Sequence, residues 1–163
     1  METLEAIKTR RSIRKYREEP VPEEKLEQIL DAGRWAPSSH NRQPWKFIVL
    51  RDRQIMADIA GLLPYGRFLA QVPLAIAVVV DPGATNHPIE DGALAAGNML
   101  LAVHALGLGG CWVDPSASEE TVKQMLGIPF GDKLICIIPV GYPDEAPTRR
   151  RKELTDIVFA DRL

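Results

Sequence analysis

A chain of 163 residues with 45% hydrophobic residues is long enough for one domain and short for two, so we expect residues 1–163 to form a single domain. The balance of 20 basic against 22 acidic residues, a net charge of −2, excludes an overall field that attracts nucleic acid or an anionic membrane. Two cysteines without CxxC spacing exclude a disulfide framework, and with only three histidines a Cys/His zinc site is not expected.

The segment before Tyr16 contains no apolar signal sequence, which predicts a cytoplasmic protein. Beyond it, apolar spacing and turn residues predict alternating helices and strands. The predicted helices cover 2–8, 21–36, 54–62, 92–106 and 116–127, and the predicted strands cover 45–52, 74–80, 111–113 and 134–141.

The strand LAIAVVV (74–80) has no polar face that could be exposed to solvent, so we expect helices on both faces of one sheet. The alternation of helices and strands, taken alone, favours a doubly wound parallel sheet. Pro139 in the last strand suggests a sheet edge or a bulge, because proline donates no ladder hydrogen bond.

The uncharged stretch from Gly92 to Val113 is long enough to span a bilayer. It contains Asn98, His104 and several glycines, and Asp91 and Asp114 bracket it without a basic anchor, which favours a buried helix followed by a short strand. A helix that is apolar all round needs protein on every side. A domain of this size can hardly supply that cover, so we expect a partner chain.

Half of the basic residues lie in two short segments near opposite ends of the sequence. Six lie within residues 8–17 with no acid among them, and four more form the run 149–152. If the fold brings these segments together, their arginine forks and the Ser12 hydroxyl can bind a phosphate group. The alternatives are a solvated basic face and a nucleic-acid patch, and the scarcity of aromatic residues between the cations disfavours the latter.

A polar loop, SSHNRQ, lies between Pro37 and Pro44 and is flanked by Trp35 and Trp45. An exposed turn is the plain alternative. The prolines stiffen the loop, however, and its polar side chains can hydrogen-bond the edge of a planar heterocycle. Together with a phosphate site, the loop indicates a nucleotide-like cofactor pocket. The glycine run 107–110 follows a helix and is not a dinucleotide fingerprint, and no P-loop motif occurs.

No established nucleophile arrangement is present in the sequence. Ser38, Ser39 and His40 are neighbours without a GxSxG motif around them. We interpret His104 as a core or interface histidine and Cys111 as a small apolar filler.

Four segments resemble the FMN-dependent nitroreductase family: RRSIRKY, APSSHNRQPWKFIVL, DGALAAGNMLLAVHALGLGGCWV and the basic run before LTDIV. The resemblance implies a short, single-domain member with an α+β fold, in which a mixed, largely antiparallel central sheet lies in a three-layer α/β/α arrangement. This replaces the parallel sheet that alternation favours. It also implies an intertwined homodimer with FMN at each subunit interface, which supplies the expected partner.

The resemblance also implies which residues contact FMN. Family members commonly present a backbone N–H to flavin N5 in the register of Asp114-Pro115-Ser116, and Pro115 has no N–H, so the N5 donor stays open. The implied contacts are Arg10, Arg11, Ser12 and Arg14 with Arg151 and Lys152 around the phosphate and ribityl chain, Pro37, Ser38, Ser39, Asn41 and Gln43 from the other subunit's loop, and Asp114.

The implied activity is an NAD(P)H-dependent reduction of nitroaromatics, quinones or similar flat acceptors, by ping-pong transfer through the flavin. No protein acid or base is obligatory, and Arg14 is a candidate for stabilising the reduced flavin electrostatically. Two alternatives stay open: a flavin-binding or flavin-handling protein of this fold with other chemistry, and, less favoured, an anion- or nucleic-acid-binding module. The choice between NADH and NADPH and the physiological acceptor stay open as well.

Overall fold

Helices and strands alternate in the computed structural model, which describes residues 1–162. The helices are α1 (Thr3–Thr9), α2 (Glu23–Arg34), α3 (Arg53–Leu62), α4 (Pro88–Ala105) and α5 (Glu119–Met125). The strands are β1 (Trp45–Leu50), β2 (Leu74–Val80), β3 (Gly109–Gly110) and β4 (Lys133–Gly141). The strand 74–80 is found as predicted. The five helices and the first and last strands differ from their predicted bounds by a few residues. The strand predicted at 111–113 instead lies at Gly109–Gly110.

The strands form one sheet in the order β1-β2-β4-β3, and every neighbouring pair is antiparallel. The α+β fold class is therefore confirmed, and the doubly wound parallel sheet is wrong. Leu50 at the end of β1 pairs with Ala75 at the start of β2, so α3 returns the chain to the end that it left. Within residues 1–162 the one parallel pairing is an isolated bridge between Ser12 and Gly110.

Each face of the sheet carries its own apolar core. Ala77 and Val79 of β2 face the core shared with α3 and α5, whereas Ile76 and Val78 face the core shared with α2 and α4. All seven residues of β2 are buried. The apolar strand thus has helices on both sides, as its sequence predicts, and the layers are α/β/α.

Helix α4 is covered on one side only. Its residues Gly92, Ala96, Met99 and Val103 pack toward the sheet and α2, whereas Leu94 remains 46% exposed. No helix within residues 1–162 is long and apolar enough to cross a membrane. The cover that we expect from a partner chain stays a prediction.

Pro139 marks neither an edge nor the bulge. Strand β4 lies between β2 and β3, and the register of the β2–β4 ladder shifts between Val78 and Val79, away from the proline. Strand β3 pairs with β4 only at Val140 and Gly141, so Pro139 has no β3 residue opposite it. The proline is tolerated because β3 ends one position before reaching it.

Residues 12–17 run beside the sheet and are fixed by backbone hydrogen bonds. The Ile13 N–H donates to the Gly110 carbonyl at 3.1 Å, and the Arg17 N–H donates to the Tyr142 carbonyl at 2.9 Å. The segment approaches closely because position 109 is glycine: a Cβ there would lie 2.8 Å from the Ile13 Cβ. This contact sets the position of the first basic segment.

Replacing Gly109 by alanine should destabilise the fold by about 1–3 kcal/mol, because the added methyl group overpacks against Ile13. Gly61→Ala is the matched control, since no atom lies within 4 Å of its Cβ position in α3. That control should be unchanged or up to about 1 kcal/mol more stable. Urea unfolding measures both, and equal stability of the two variants would contradict the close approach.

Candidate active site

The two basic segments meet in one cavity of about 190 Å³. The fold thus brings together the two segments that a phosphate site would require, although Lys152 is exposed and does not line the cavity. No acidic residue of the described chain lines it, so the local potential is strongly positive. Its lining residues are Arg10, Arg11, Ser12, Arg14, Pro147, Arg149 and Arg151.

The first basic segment is tied to the segment that carries the second. The Glu145 carboxylate accepts the backbone N–H groups of Arg14 and Lys15, the latter at 3.2 Å, and the Asp144 N–H donates to the Lys15 carbonyl at 2.9 Å. Nothing in the sequence distinguishes Glu145 from other surface acids, so its role was not predicted. It brings the chain before Arg149 alongside the first segment.

Further side-chain hydrogen bonds fix the first basic segment. The Tyr16 hydroxyl donates to the Ile13 carbonyl, and burial holds the pKa of this phenol above its usual range. The Arg11 guanidinium donates to the Lys8 and Arg10 carbonyls, both at 2.8 Å, where α1 ends. Several guanidinium groups around a small cavity, with the Ser12 hydroxyl beside them, fit a phosphate group.

A second cavity, of about 330 Å³, adjoins the basic one through Arg14, which lines both. Three aromatic side chains, those of Tyr65, Phe68 and Trp112, line it together with Pro64, Val113, Asp114, Ser116 and Ala117. Aromatic walls beside a phosphate-sized basic cavity suit a flat ring joined to a phosphate. The sequence did not single out the turn that carries Tyr65 and Phe68, since two isolated aromatic residues in a turn form no motif.

The amides around Pro115 are largely committed to internal bonds. The Val113 N–H donates to the Ile137 carbonyl at 3.0 Å, and the Ser116 N–H donates to the Asp114 carboxylate at 2.9 Å. The Asp114 N–H makes no hydrogen bond within residues 1–162. Of the register predicted to face flavin N5, Asp114 alone has a free amide.

The polar loop adopts an unusual backbone conformation. His40, Asn41 and Gln43 have φ of 51°, 55° and 49°, in the left-handed region that non-glycine residues seldom adopt. The Gln43 N–H donates to the Ser38 hydroxyl at 3.0 Å, and the Gln43 side-chain amide donates to the Asn41 carbonyl at 3.0 Å. The loop is thus an ordered turn, which its composition alone does not reveal.

The loop and the basic cavity lie at opposite ends of the sheet. The loop leads into Trp45, which pairs with Val80 at the end of β2, whereas the basic segment pairs with Gly110, beside Val140 and the start of β2 at Leu74. These two ends are six residue steps apart along β2, from Leu74 to Val80, which is a distance of about 20 Å. Within one chain, the predicted basic residues other than Lys152 therefore lie near Asp114, whereas the predicted loop residues, Pro37 to Gln43, lie apart from them.

Both cysteines are buried, and His104 is partly buried. Burial raises the pKa of the Cys111 thiol to about 11 and also raises the pKa of Cys136. His104 Nε2 lies 2.7 Å from the Thr9 hydroxyl, and desolvation, assisted by Arg10 and Arg11, lowers the pKa of its imidazole. The two thiols therefore stay protonated at neutral pH, and the His104 ring is held by its contact with the Thr9 hydroxyl.

The sequence of this chain is similar to those of known proteins. The profile of the nitroreductase family matches residues 7–65 and 62–142. A protein of Methanothermobacter thermautotrophicus, provisionally named NADH dehydrogenase/NAD(P)H nitroreductase, is 42% identical over 100% of this chain and 86% of its own length.

Solved structures extend the similarity to the fold. An FMN-dependent nitroreductase from Clostridium difficile R20291 is 33% identical, with a TM-score of 0.87 over 98% of this chain and 99% of that one. A provisionally named nitroreductase from Desulfovibrio desulfuricans, solved in complex with FMN, is 32% identical, with a TM-score of 0.91 over 100% and 98% of the two chains.

Both cysteines should resist thiol reagents in the native protein. With a pKa of about 11, the Cys111 thiol would be only about one part in a thousand thiolate at pH 8. Labelling with a chromogenic disulfide at pH 8 should therefore be slow until denaturant unfolds the chain, when two thiols react. Rapid labelling of the folded protein would contradict this interpretation.

Proposed function

The chain belongs to the nitroreductase family, and we propose that it uses bound FMN to carry reducing equivalents from NAD(P)H to nitroaromatics, quinones or similar flat acceptors. The general activity, FMN-dependent oxidation of NAD(P)H, follows from the family and its relatives. The observation that supports the proposal here is the pair of adjoining cavities, one basic and one aromatic, that share Arg14.

In this proposal the basic cavity holds the FMN phosphate. Arg10, Arg11, Ser12 and Arg151 supply charge and hydrogen bonds, and Arg149 joins them because it lines the same cavity. Lys152, which does not line the cavity, contributes only long-range attraction. Arginine is well suited to this task because its rigid fork binds two phosphate oxygens at once.

The aromatic cavity would hold the flavin ring. We propose that the Asp114 amide, which has no internal acceptor, donates to flavin N5, and that the Asp114 carboxylate keeps the following turn closed through its bonds to Ser116. Arg14 lies between the two cavities, where its charge can stabilise the negative charge of the reduced ring.

FMN held in these cavities would supply the redox chemistry, the transfer of reducing equivalents from NAD(P)H to the acceptor in a ping-pong cycle. The chain's residues bind and orient the partners and need not exchange protons with them. Tyr65, at the rim of the aromatic cavity, is 91% exposed. An open rim of this kind limits selection among flat acceptors.

We further propose that the site is completed by a second copy of the chain in an intertwined homodimer. The loop residues Pro37, Ser38, Ser39, Asn41 and Gln43 lie at the far end of the sheet from the basic cavity, so they can reach a flavin only in the partner. Exposed apolar surface supports this arrangement. It includes a groove of about 290 Å³ between α1, α2 and α4, and the exposed side chains Trp35, Leu94, Leu154, Ile157, Val158 and Phe159.

The double variant Arg11→Ala/Arg151→Ala should bind FMN at least about a hundredfold more weakly, because hydrogen bonds to charged groups contribute about 1.5–3 kcal/mol each. Arg51→Ala/Arg53→Ala, at two exposed positions outside the cavity, is the charge-matched control and should retain wild-type affinity. Fluorescence titration gives the affinities. Undiminished FMN binding by the double variant would contradict the proposed phosphate site.

The wild-type test is an anaerobic absorbance spectrum before and after addition of NADH or NADPH. Flavin bands should bleach within seconds and recover when a quinone is added. Flavin bands that persist after the addition of NADH or NADPH would support the FMN site but refute the reductase activity.

Mixing two defective chains tests the shared site. Arg11→Ala/Arg151→Ala and Asn41→Ala/Gln43→Ala should each bind FMN poorly as homodimers. In random mixed dimers, one site per heterodimer combines an intact basic cavity with an intact loop, so about a quarter of all sites should recover. A site within one chain would give no recovery.

A further inference from the structure

A carboxylate outside the cavities is buried where the polar loop meets α4. Asp91, in the first turn of α4, is only 3% exposed. One carboxylate oxygen accepts the Ser39 N–H at 2.9 Å, and the other accepts the Thr85 hydroxyl at 2.7 Å. These donors and the positive N-terminal end of α4 compensate for the loss of hydration. No cation within residues 1–162 forms a salt bridge with Asp91.

The carboxylate links three separate segments. The Thr85 hydroxyl that donates to Asp91 also accepts the His87 N–H at 3.1 Å, which fixes the turn before α4. The Ser39 N–H belongs to the loop. Among residues 1–162, Asp91 is the only residue outside positions 38–43 whose side chain hydrogen-bonds to those positions.

The loop requires such an anchor because its backbone is strained. Its left-handed residues His40, Asn41 and Gln43 each cost free energy. The remaining bonds of the loop are made within it: Ser38 bonds to Asn41 and Gln43, Ser39 to Arg42, and Gln43 to Asn41. Without an external contact, the loop can relax to ordinary conformations. Asn41 and Gln43 would then change direction.

We infer that Asp91 is a positioning residue for cofactor binding: through Ser39 it holds the loop in the strained shape that presents Asn41 and Gln43 to FMN. This inference rests on the proposed function, because the loop contacts the flavin only there. Loss of the anchor lowers the fraction of loops in the binding shape, and the apparent dissociation constant rises by the inverse of that fraction.

The test compares Asp91→Ala, which removes the acceptor, with Asp91→Asn, whose amide oxygen can still accept the Ser39 N–H. Asp91→Ala should weaken FMN binding by about tenfold or more, whereas Asp91→Asn should stay within about threefold of wild type. The control is Asp52→Ala, which removes a carboxylate that accepts the Gln54 and Ile55 N–H groups at 2.8 and 3.1 Å, at the other end of β1.

Three readouts on the full chain separate positioning from stability: FMN affinity, visible circular dichroism of the saturated flavin, and thermal unfolding without flavin. Asp91→Ala should weaken FMN binding but show wild-type dichroism once saturated, because only loops in the binding shape hold the flavin. Asp52→Ala should lower the unfolding temperature and leave FMN affinity unchanged. Equal FMN affinity in the two variants would overturn the inference.

If Asp91→Ala does not fold, Asp91→Glu tests the inference instead, because its longer side chain displaces the carboxylate while keeping the charge. Weaker FMN binding with wild-type dichroism at saturation supports the inference, and wild-type affinity overturns it. A wild-type protein that binds no FMN would instead contradict the proposed function itself.

Discussion

The burial of β2 on both faces is the constraint on which the rest of the structure depends. A strand of seven apolar residues stabilises the fold only when protein covers both of its sides. The covering helices therefore divide between the faces, with α3 and α5 on one and α2 and α4 on the other. Because β2 also separates the loop from the basic cavity, the same strand determines how far apart the two parts of the candidate site lie.

The basic cavity illustrates how a binding surface arises from backbone pairing rather than from sequence proximity. Residues 12–17 pair with Gly110 on one side and with the chain after β4 on the other, so segments more than a hundred positions apart meet. Mutual repulsion among the arginines opposes this meeting. Backbone hydrogen bonds and the Glu145 carboxylate offset it, and the cavity is positive before any ligand arrives.

The sequence predicts those features that depend on composition over a few neighbouring residues. The strand 74–80 follows from its apolar run, and α4 follows from a long uncharged stretch. Strand direction does not follow, because alternation says nothing about whether α3 returns the chain to the same end of the sheet. The resemblance to a known family supplied that direction.

The candidate site, too, could be predicted from the sequence only in part. The charge runs that form the basic cavity are visible in the sequence, but their meeting depends on long-range pairing. Glu145 and Asp91 were not predicted as contacts, because a single carboxylate is informative only once its donors are known. The positive φ angles of the loop are equally invisible, since Asn41 and Gln43 resemble residues of any polar turn.

The separation of about 20 Å between the two ends of the sheet has a thermodynamic consequence. If two chains must each contribute one part of every site, as we propose, FMN binds the dimer and not the isolated chain. Cofactor binding and subunit association are then linked equilibria. Flavin affinity becomes a function of protein concentration, and dilution alone releases the cofactor.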